Sequence, residues 1–398
     1  MSGGSQHPAR AVRELLRERR VLLGLTQAEA ARRASGDRRI QQQFVANLES
    51  RGIPSTARKV ISYAMSLGID LAEFQALAGM DLRWSDHLVG LDWSQVQENI
   101  TAAFTAGDVR QAIGMTYAAL ERARAERNAL QEGRHLWLLG IFLDQGDRPW
   151  LARTFFEKAL QTGAFEGLER NKLLCALAKI HAELALPEIA MAIIGMVDET
   201  VHEPGSLDEL FYLSTRSTLE FIAGRFDQAV EIDSVIDQRL NELHDELTGG
   251  DGEYPAEIYD WAWGQQARFL RALAWTGDLG RAAGVARRLE ARREEVPERR
   301  ARFLLALGEY SLAADRLFAA DRQFTEALDL SRQIDDRDWI FLAKLGQARV
   351  AQRQGRTALV RELYRDLRRH ERDRPRKPYQ RSLLEQLAAG IEKTRGTP

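Results

Sequence analysis

Residues 136–159 read LWLLGIFLDQGDRPWLARTFFEKA, and residues 304–327 read LLALGEYSLAADRLFAADRQFTEA. Laid over each other, both carry Leu at the first and fourth positions, followed by Gly140 or Gly308. Both then carry a small residue (Ala152, Ala320), an aromatic four residues later (Phe156, Phe324) and Ala three beyond that (Ala159, Ala327). Apolar residues at helical spacing on either side of a polar break describe two amphipathic helices joined by a turn. Weaker copies put the central small residue at Ala112, Ala190, Ala229, Ala282 and Ala358, so the seven anchors are separated by 40, 38, 39, 53, 38 and 38 residues. A recurring period of this size signals stacked helix pairs; the competing reading is an all-helical domain without repeats. Gly107, Gly146, Gly224, Gly277 and Gly355 punctuate the turns. The one long interval holds His244–Tyr254, rich in Gly, Asp and Glu, which reads as an inserted loop.

This pattern, from residue 93 to 395, resembles the tetratricopeptide (TPR) family. The resemblance implies an α-solenoid of about seven helix pairs, one per anchor, in which the first helix of each pair lines an extended concave surface. Counting from the anchors puts Trp137, Lys172, Lys179, Phe211, Ser214, Thr218, Arg271, Trp275 and Glu309 on that surface. Lys172, Lys179 and Arg271 suit a peptide carboxylate or acidic side chains, and Trp137 and Trp275 suit apolar anchors. For each of them the competing reading is ordinary packing or solvation. Arg368, Arg369, Arg372, Arg374, Arg376 and Lys377 form a basic run, read either as a solvated loop or as a second phosphate or partner contact.

Upstream, residues 25–54 read LTQAEAARRASGDRRIQQQFVANLESRGIP. A first helix over Ala9–Leu23 keeps Val12, Leu15, Leu16, Arg19 and Leu22 or Leu23 on one face and stops at Gly24. Thr26 with Glu29 three residues later is a capping box for a second helix. Ser35-Gly36-Asp37 breaks it. A third helix runs from near Ile40 to Gly52 over a stripe of Phe44, Val45 and Leu48. Ser55 or Thr56 caps a fourth that buries Val60, Ile61, Ala64 and Leu67, and a fifth spans Asp70–Gly79. This arrangement resembles the Cro/C1-type (Xre-like) helix-turn-helix family, on Leu16-Arg17 with Arg20, Gly24-Leu25-Thr26-Gln27, Val45 with Leu48-Glu49, Pro54-Ser55 and Leu67-Gly68-Ile69. The chain departs from the family pattern by about four extra residues between Gln27 and Glu49, which fall in the turn Ser35–Arg39.

The resemblance implies a second-to-third-helix unit that lays the third helix in the major groove of double-stranded DNA. Gln41, Gln42 and Gln43, with Asn47 on the same face as Gln43, have the side chains that bond adenine edges in pairs. Arg38, Arg39 and Arg51 flank them and suit phosphates, and by the family resemblance Gln27 approaches the backbone. The competing reading is that the three glutamines only solvate a surface helix.

The 398 residues are enough for two or three domains, and their division reads as a flexible 1–8, a DNA-binding domain at 9–79, a linker at 80–92 and the repeat domain at 93–395. A net charge of −2 hides an asymmetry: residues 1–79 hold 12 Arg and Lys against 7 Asp and Glu, while the remainder holds 44 against 51. A basic head on an acidic body fits DNA binding at one end. Cys175 is the only cysteine, which excludes an intrachain disulfide and, with no apolar leader, points to the cytoplasm. No stretch is apolar enough to span a membrane. The sequence holds no G-x-x-x-x-G-K-[ST], G-x-S-x-G or H-E-x-x-H. The seven histidines are scattered, so no enzyme activity, metal or cofactor is expected.

Taken together, head and body resemble the RRNPP group of peptide-responsive regulators. The resemblance implies a homodimeric transcription factor on a two-fold, pseudo-palindromic operator, controlled by a short peptide or protein segment in the repeat groove. Two alternatives stand beside it: a regulator whose repeats only dimerise or recruit a protein partner, and an adaptor whose head does not bind DNA.

Overall fold

The computed structural model describes residues 10–34, 40–51, 57–67, 69, 88–106, 108–145, 148–248, 256–291, 296–334, 336–371 and 376–393. Among these residues there are α-helices and no strands, so the fold is all-α. The helices fall into two compact units.

The first unit holds α1 (Arg10–Leu22), α2 (Gln27–Arg33), α3 (Gln42–Arg51), α4 (Ala57–Ser66), α5 (Trp93–Thr105), α6 (Val109–Ala125), α7 (Ala129–Gln145) and α8 (Pro149–Gln161). Gly24 takes a left-handed φ of 65° just past α1, a conformation that a Cβ penalises. Thr26 then caps α2 reciprocally with Glu29, as expected. α3 starts at Gln42 rather than near Ile40. Ile40 is buried ahead of it, and the Gln41 carbonyl accepts the Phe44 and Val45 N–H groups, the role of a cap position. Val12, Leu16, Val45, Leu48, Val60, Ala64 and Leu67 form the small core. Phe44 and Ile61 are only half-buried, and Tyr63 takes the buried place on α4 instead. The turn Ser35–Arg39, the cap at Ser55 or Thr56 and the fifth helix at Asp70–Gly79 lie outside the described residues, as do residues 1–8 and most of the linker.

Within this unit α1 also meets α8. The Arg19 guanidinium lies 3.5 Å over the Trp150 ring, and Lys158 pairs with Glu18 at 2.7 Å. Beside them is a cavity of about 540 Å³ lined by Arg17, Glu18, Val21, Thr154, Glu157, Lys158 and Gln161. The contact is polar, so it is sensitive to salt where it is exposed.

The second unit holds α9 (Gly167–Glu183), α10 (Pro187–Ile194), α11 (Leu207–Ala223), α12 (Phe226–Thr248), α13 (Ala256–Thr276), α14 (Leu279–Ala291), α15 (Pro297–Ala313), α16 (Leu317–Gln333), α17 (Arg337–Arg353), α18 (Thr357–Glu371) and α19 (Pro378–Lys393). Consecutive helices pack on each other, and each odd-numbered helix also packs on the next odd-numbered one. The odd helices therefore form one continuous face. That face curls far enough for α19 to touch α11.

The sequence anchors explain the packing. Ala112, Ala152, Ala190, Ala229, Ala282 and Ala320 are all fully buried. Phe324 is wedged between two glycines: a Cβ on Gly308 would lie 2.7 Å from its ring, and one on Gly346 would collide with it outright. Gly140 gives way to Phe156 in the same manner. These glycines are helical, and what they provide is room for a ring.

Two expectations are corrected. Ala358 is exposed; the buried anchor of α18 is Val360, with Tyr364 four and Leu367 seven residues on, which restores the spacing. A β-branched residue fills the place where a small one was sought. The interval His244–Tyr254 is also not all loop, because α12 continues through His244 to Thr248. The long spacing is absorbed by 23- and 21-residue helices, α12 and α13; residues 249–255 lie outside the described residues. Gly224, Gly277 and Gly355 sit at left-handed turns, whereas Gly107 and Gly146 are outside the described residues.

Candidate functional site

α1 to α4 meet at the Glu49 carboxylate, which is buried. Its Oε1 accepts from Arg20 Nε at 2.7 Å and from the Tyr63 hydroxyl at 3.2 Å. Its Oε2 accepts from Arg20 Nη2 at 2.9 Å and from Gln27 Nε2 at 2.9 Å. Arg20 also donates to the Leu25 carbonyl at 2.6 Å. One residue from each of α1, α2, α3 and α4 thus meets at a single carboxylate. Burial alone would raise the Glu49 pKa; the bonds from Arg20 and Gln27 outweigh it and hold the carboxyl below its ordinary value. The Arg20 pKa is raised, chiefly by its bond to Glu49, and burial beside Glu49 pushes the Tyr63 phenol far up.

This knot fixes α3 against α2, and α3 then presents a polar edge. Gln41, Gln42 and Gln43 are exposed, and Gln43 Nε2 donates to Asn47 Oδ1 at 3.1 Å across one helical turn. Gln43 and Asn47 share one face of α3, and Gln41 and Gln42 stand exposed at its start. Gln27 is turned inward onto Glu49. Arg38 and Arg39, and the side chain of Arg51, lie outside the described residues. Sequence reasoning used Arg20 and Glu49 only as marks of resemblance; their pairing and Tyr63's share in it were missed, because residues 29 and 14 positions away from Glu49 carry no local signal.

The nine groove residues do not come together as one site. Trp137 on α7 packs edge-on against Phe165 at 5.4 Å and lines a cavity of about 610 Å³ with Trp93, Gln131 and Arg134. Lys172 and Lys179 on α9 are exposed but engaged, Lys172 with Asp208 at 2.7 Å and Lys179 with Glu183 at 3.8 Å. On α11, Phe211 leans on Trp261 at 4.7 Å. Ser214 and Thr218 belong to a polar cluster around Asp233, which is fully buried. Ser214 Oγ donates to Gln265 Oε1 at 2.8 Å, while Arg268 donates to the Ser214 carbonyl at 3.0 Å and to Thr218 Oγ1. Asp233 Oδ1 accepts from Arg268 at 2.8 Å and from Gln265 at 2.6 Å. Asp233 stands four residues after Ala229, the place that Phe156 and Phe324 hold in the clearest copies.

Arg271, Trp275 and Glu309 do share one neighbourhood on α13 and α15. Arg349 pairs with Glu309 at 2.5 Å and lies 4.2 Å over Trp275, while Arg271 lies 4.9 Å over Phe221. The basic run is in part neither solvated nor free. Arg376 is buried 4.1 Å over the Phe341 ring, and both it and Lys377 pair with Asp338, because the N-terminal end of α17 supplies a ring and a carboxylate there. Arg372 and Arg374 lie outside the described residues. Cys175 is half-buried, and burial pushes its thiol up to about 11. Among the described residues no group of His, Cys, Asp and Glu is placed to hold a metal ion, and no helix is long and apolar enough to cross a membrane.

No protein-family model and no curated protein matches the chain. Among solved structures it resembles Bacillus thuringiensis PlcR, crystallised in complex with the peptide PapR7 and DNA. The two are 14% identical, the match covers 80% of this chain and 99% of that one, and the TM-score is 0.35. The likeness is distant.

Proposed function

We propose that this chain is a sequence-specific DNA-binding transcriptional regulator of RRNPP type. Residues 9–79 are its Cro/C1-type helix-turn-helix head, 80–92 its linker and 93–395 its TPR-like sensor and dimerisation body. The observation that carries this reading is the set of amides at the start of α3, exposed Gln41–Gln43 with half-buried Asn47 bonded to Gln43, on a helix fixed by a four-helix knot. A set of amides held rigidly on an exposed helix can bond base edges, and the flanking arginines Arg38, Arg39 and Arg51 supply phosphate contacts. Two heads on a two-fold axis read half-sites about one helical turn, or a multiple of it, apart. A short peptide or protein segment held by the body better in one conformation than in another changes that spacing, and so the affinity for the operator.

The test is an electrophoretic shift with fragments of the source genome at two salt concentrations. A shift that weakens steeply with salt supports the reading, and no shift at low salt overturns it. Arg39→Ala weakens all sequences alike, whereas Gln42→Ala relaxes one position.

A second reading, in which the repeats only dimerise or recruit a protein, is favoured by the internal partners of Lys172, Lys179 and Glu309. It predicts DNA binding that is indifferent to peptides and to alanine changes at Trp137, Phe211 and Trp275.

A further inference from the structure

The face formed by α11, α13, α15 and α17 is not empty. α19 lies against it, burying Tyr379, Leu383, Leu387 and Ile391 at positions i, i+4, i+8 and i+12, with Leu384 beside them. It belongs to the same apolar cluster as Phe221, Leu305, Leu312 and Phe341. Stacking on the preceding pair accounts for its packing on α17 and α18. Stacking does not account for Tyr379, whose ring meets Phe221 on α11 at 5.3 Å and stands 6.0 Å below the Arg271 guanidinium of α13. At the other end, Gln352 fills the space where a side chain at Gly390 would begin, so α19 and α17 approach closely there.

The fit is incomplete. Trp275 Nε1 and Arg271 Nε are both buried donors without a hydrogen-bond partner, which is costly in a packed interior. A cavity of about 430 Å³ remains beside α19, lined among others by Trp275, Leu312, Arg349, Leu383, Gln386 and Leu387. α19 therefore supplies the apolar half of what this surface bonds and one long contact, in which the Tyr379 hydroxyl accepts from Arg271 Nη2 at 3.5 Å, while Trp275 Nε1 and Arg271 Nε stay unused.

We propose that this face is a helix-binding groove, that α19 is its resident occupant, and that it takes in exchange an amphipathic helix of the same i, i+4, i+8, i+12 apolar spacing that also carries a carboxylate for Trp275 and Arg271. Laying an apolar helix face into such a groove is a general mode of recognition. The proposal rests on the reading of the body as a ligand-binding domain and narrows its ligand to a helical segment; it does not depend on DNA binding.

The test uses the full chain and a fluorescent synthetic peptide of residues 376–393, followed by anisotropy. A resident helix competes at high local concentration, so the peptide binds the Leu387→Asp chain at least tenfold more tightly than the unaltered chain, and a scrambled peptide binds neither. Equal binding to both chains, or none to a Leu387→Asp chain that keeps its helical circular dichroism, overturns the proposal. If that variant does not fold, hydrogen exchange on the unaltered chain decides. Amides of α19 that exchange at least tenfold faster than those of α17 support an exchangeable occupant, and equal rates overturn it. Peptide binding that leaves DNA affinity unchanged upholds the groove and sinks the peptide-controlled regulator.

Discussion

Both units bury carboxylates against arginine, and Glu49 of the first and Asp233, the most deeply buried of the second, are not alike. Glu49 accepts four hydrogen bonds from three side chains, and every oxygen is used. Asp233 is more deeply buried, yet both of its bonds fall on Oδ1; its Oδ2 and the Nε of its partner Arg268 have no partner among the described residues. The first arrangement is a complete fork that satisfies its desolvated groups. The second replaces an aromatic wedge by a charge pair that is only half satisfied. A buried ion pair is weak evidence of stability, and its merit over apolar packing depends on how fully it is bonded. The difference teaches that a fully bonded carboxylate is expected to reinforce the packing of α1 to α4, whereas the half-bonded Asp233 cluster is expected to be no better than apolar packing in its place.

The largest effect is expected at the complete knot. Glu49→Ala strands Arg20, Gln27 and Tyr63 and should cost about 3–5 kcal/mol, seen as a large loss in urea midpoint for the transition that unfolds the first unit. An unchanged midpoint would break the comparison at its stronger end. Replacing whole clusters sharpens it. Asp233→Leu, Gln265→Leu and Arg268→Met together should be neutral or stabilising by about 1–4 kcal/mol. The parallel change Arg20→Met with Glu49→Leu should destabilise by about 1–3 kcal/mol for each buried partner it orphans. Thermal denaturation of the two variants reads the sign directly.

Acid supplies a third test. The Glu49 pKa is depressed on folding, so its contribution is fully present above the ordinary value of 4.5 and is lost as the pH falls through the lower folded value. The packing of α1 to α4 should loosen in that window, and Glu49→Gln should flatten the dependence; tyrosine absorbance, to which Tyr63 contributes, follows both. The smallest effect belongs to the exposed pair: Lys158→Ala, which breaks the contact with Glu18, should cost about 0.2–1 kcal/mol and less at high salt.

Much of the local structure was legible. The Thr26–Glu29 box, the buried Val45 and Leu48, and the buried Ala152, Phe156, Ala320 and Phe324 follow from short spacings, where chemistry and geometry are set by neighbouring residues. Val360 escaped because a valine satisfies the packing while breaking the small-residue rule. Asp233 escaped because its partners Gln265 and Arg268 are more than thirty residues away, on another helix. The extension of α12 through His244 escaped because polar residues read as loop even when they continue a helix. The exposure of Gln41–Gln43 was legible from their polarity. That several groove cations are already paired, and that α19 covers Arg271 and Trp275, depends on the curl of the odd-helix face, which no single repeat encodes.

The central claim is that the α3 amides read bases. The most direct measurement is the affinity of the full chain and of its Gln42→Ala variant for a bound DNA fragment and its single-base variants. The account predicts tight, salt-sensitive binding whose preference at one position drops by about 1–3 kcal/mol in the variant, with affinity elsewhere nearly kept. Identical base preferences in the two proteins, or no binding at low salt, would contradict it.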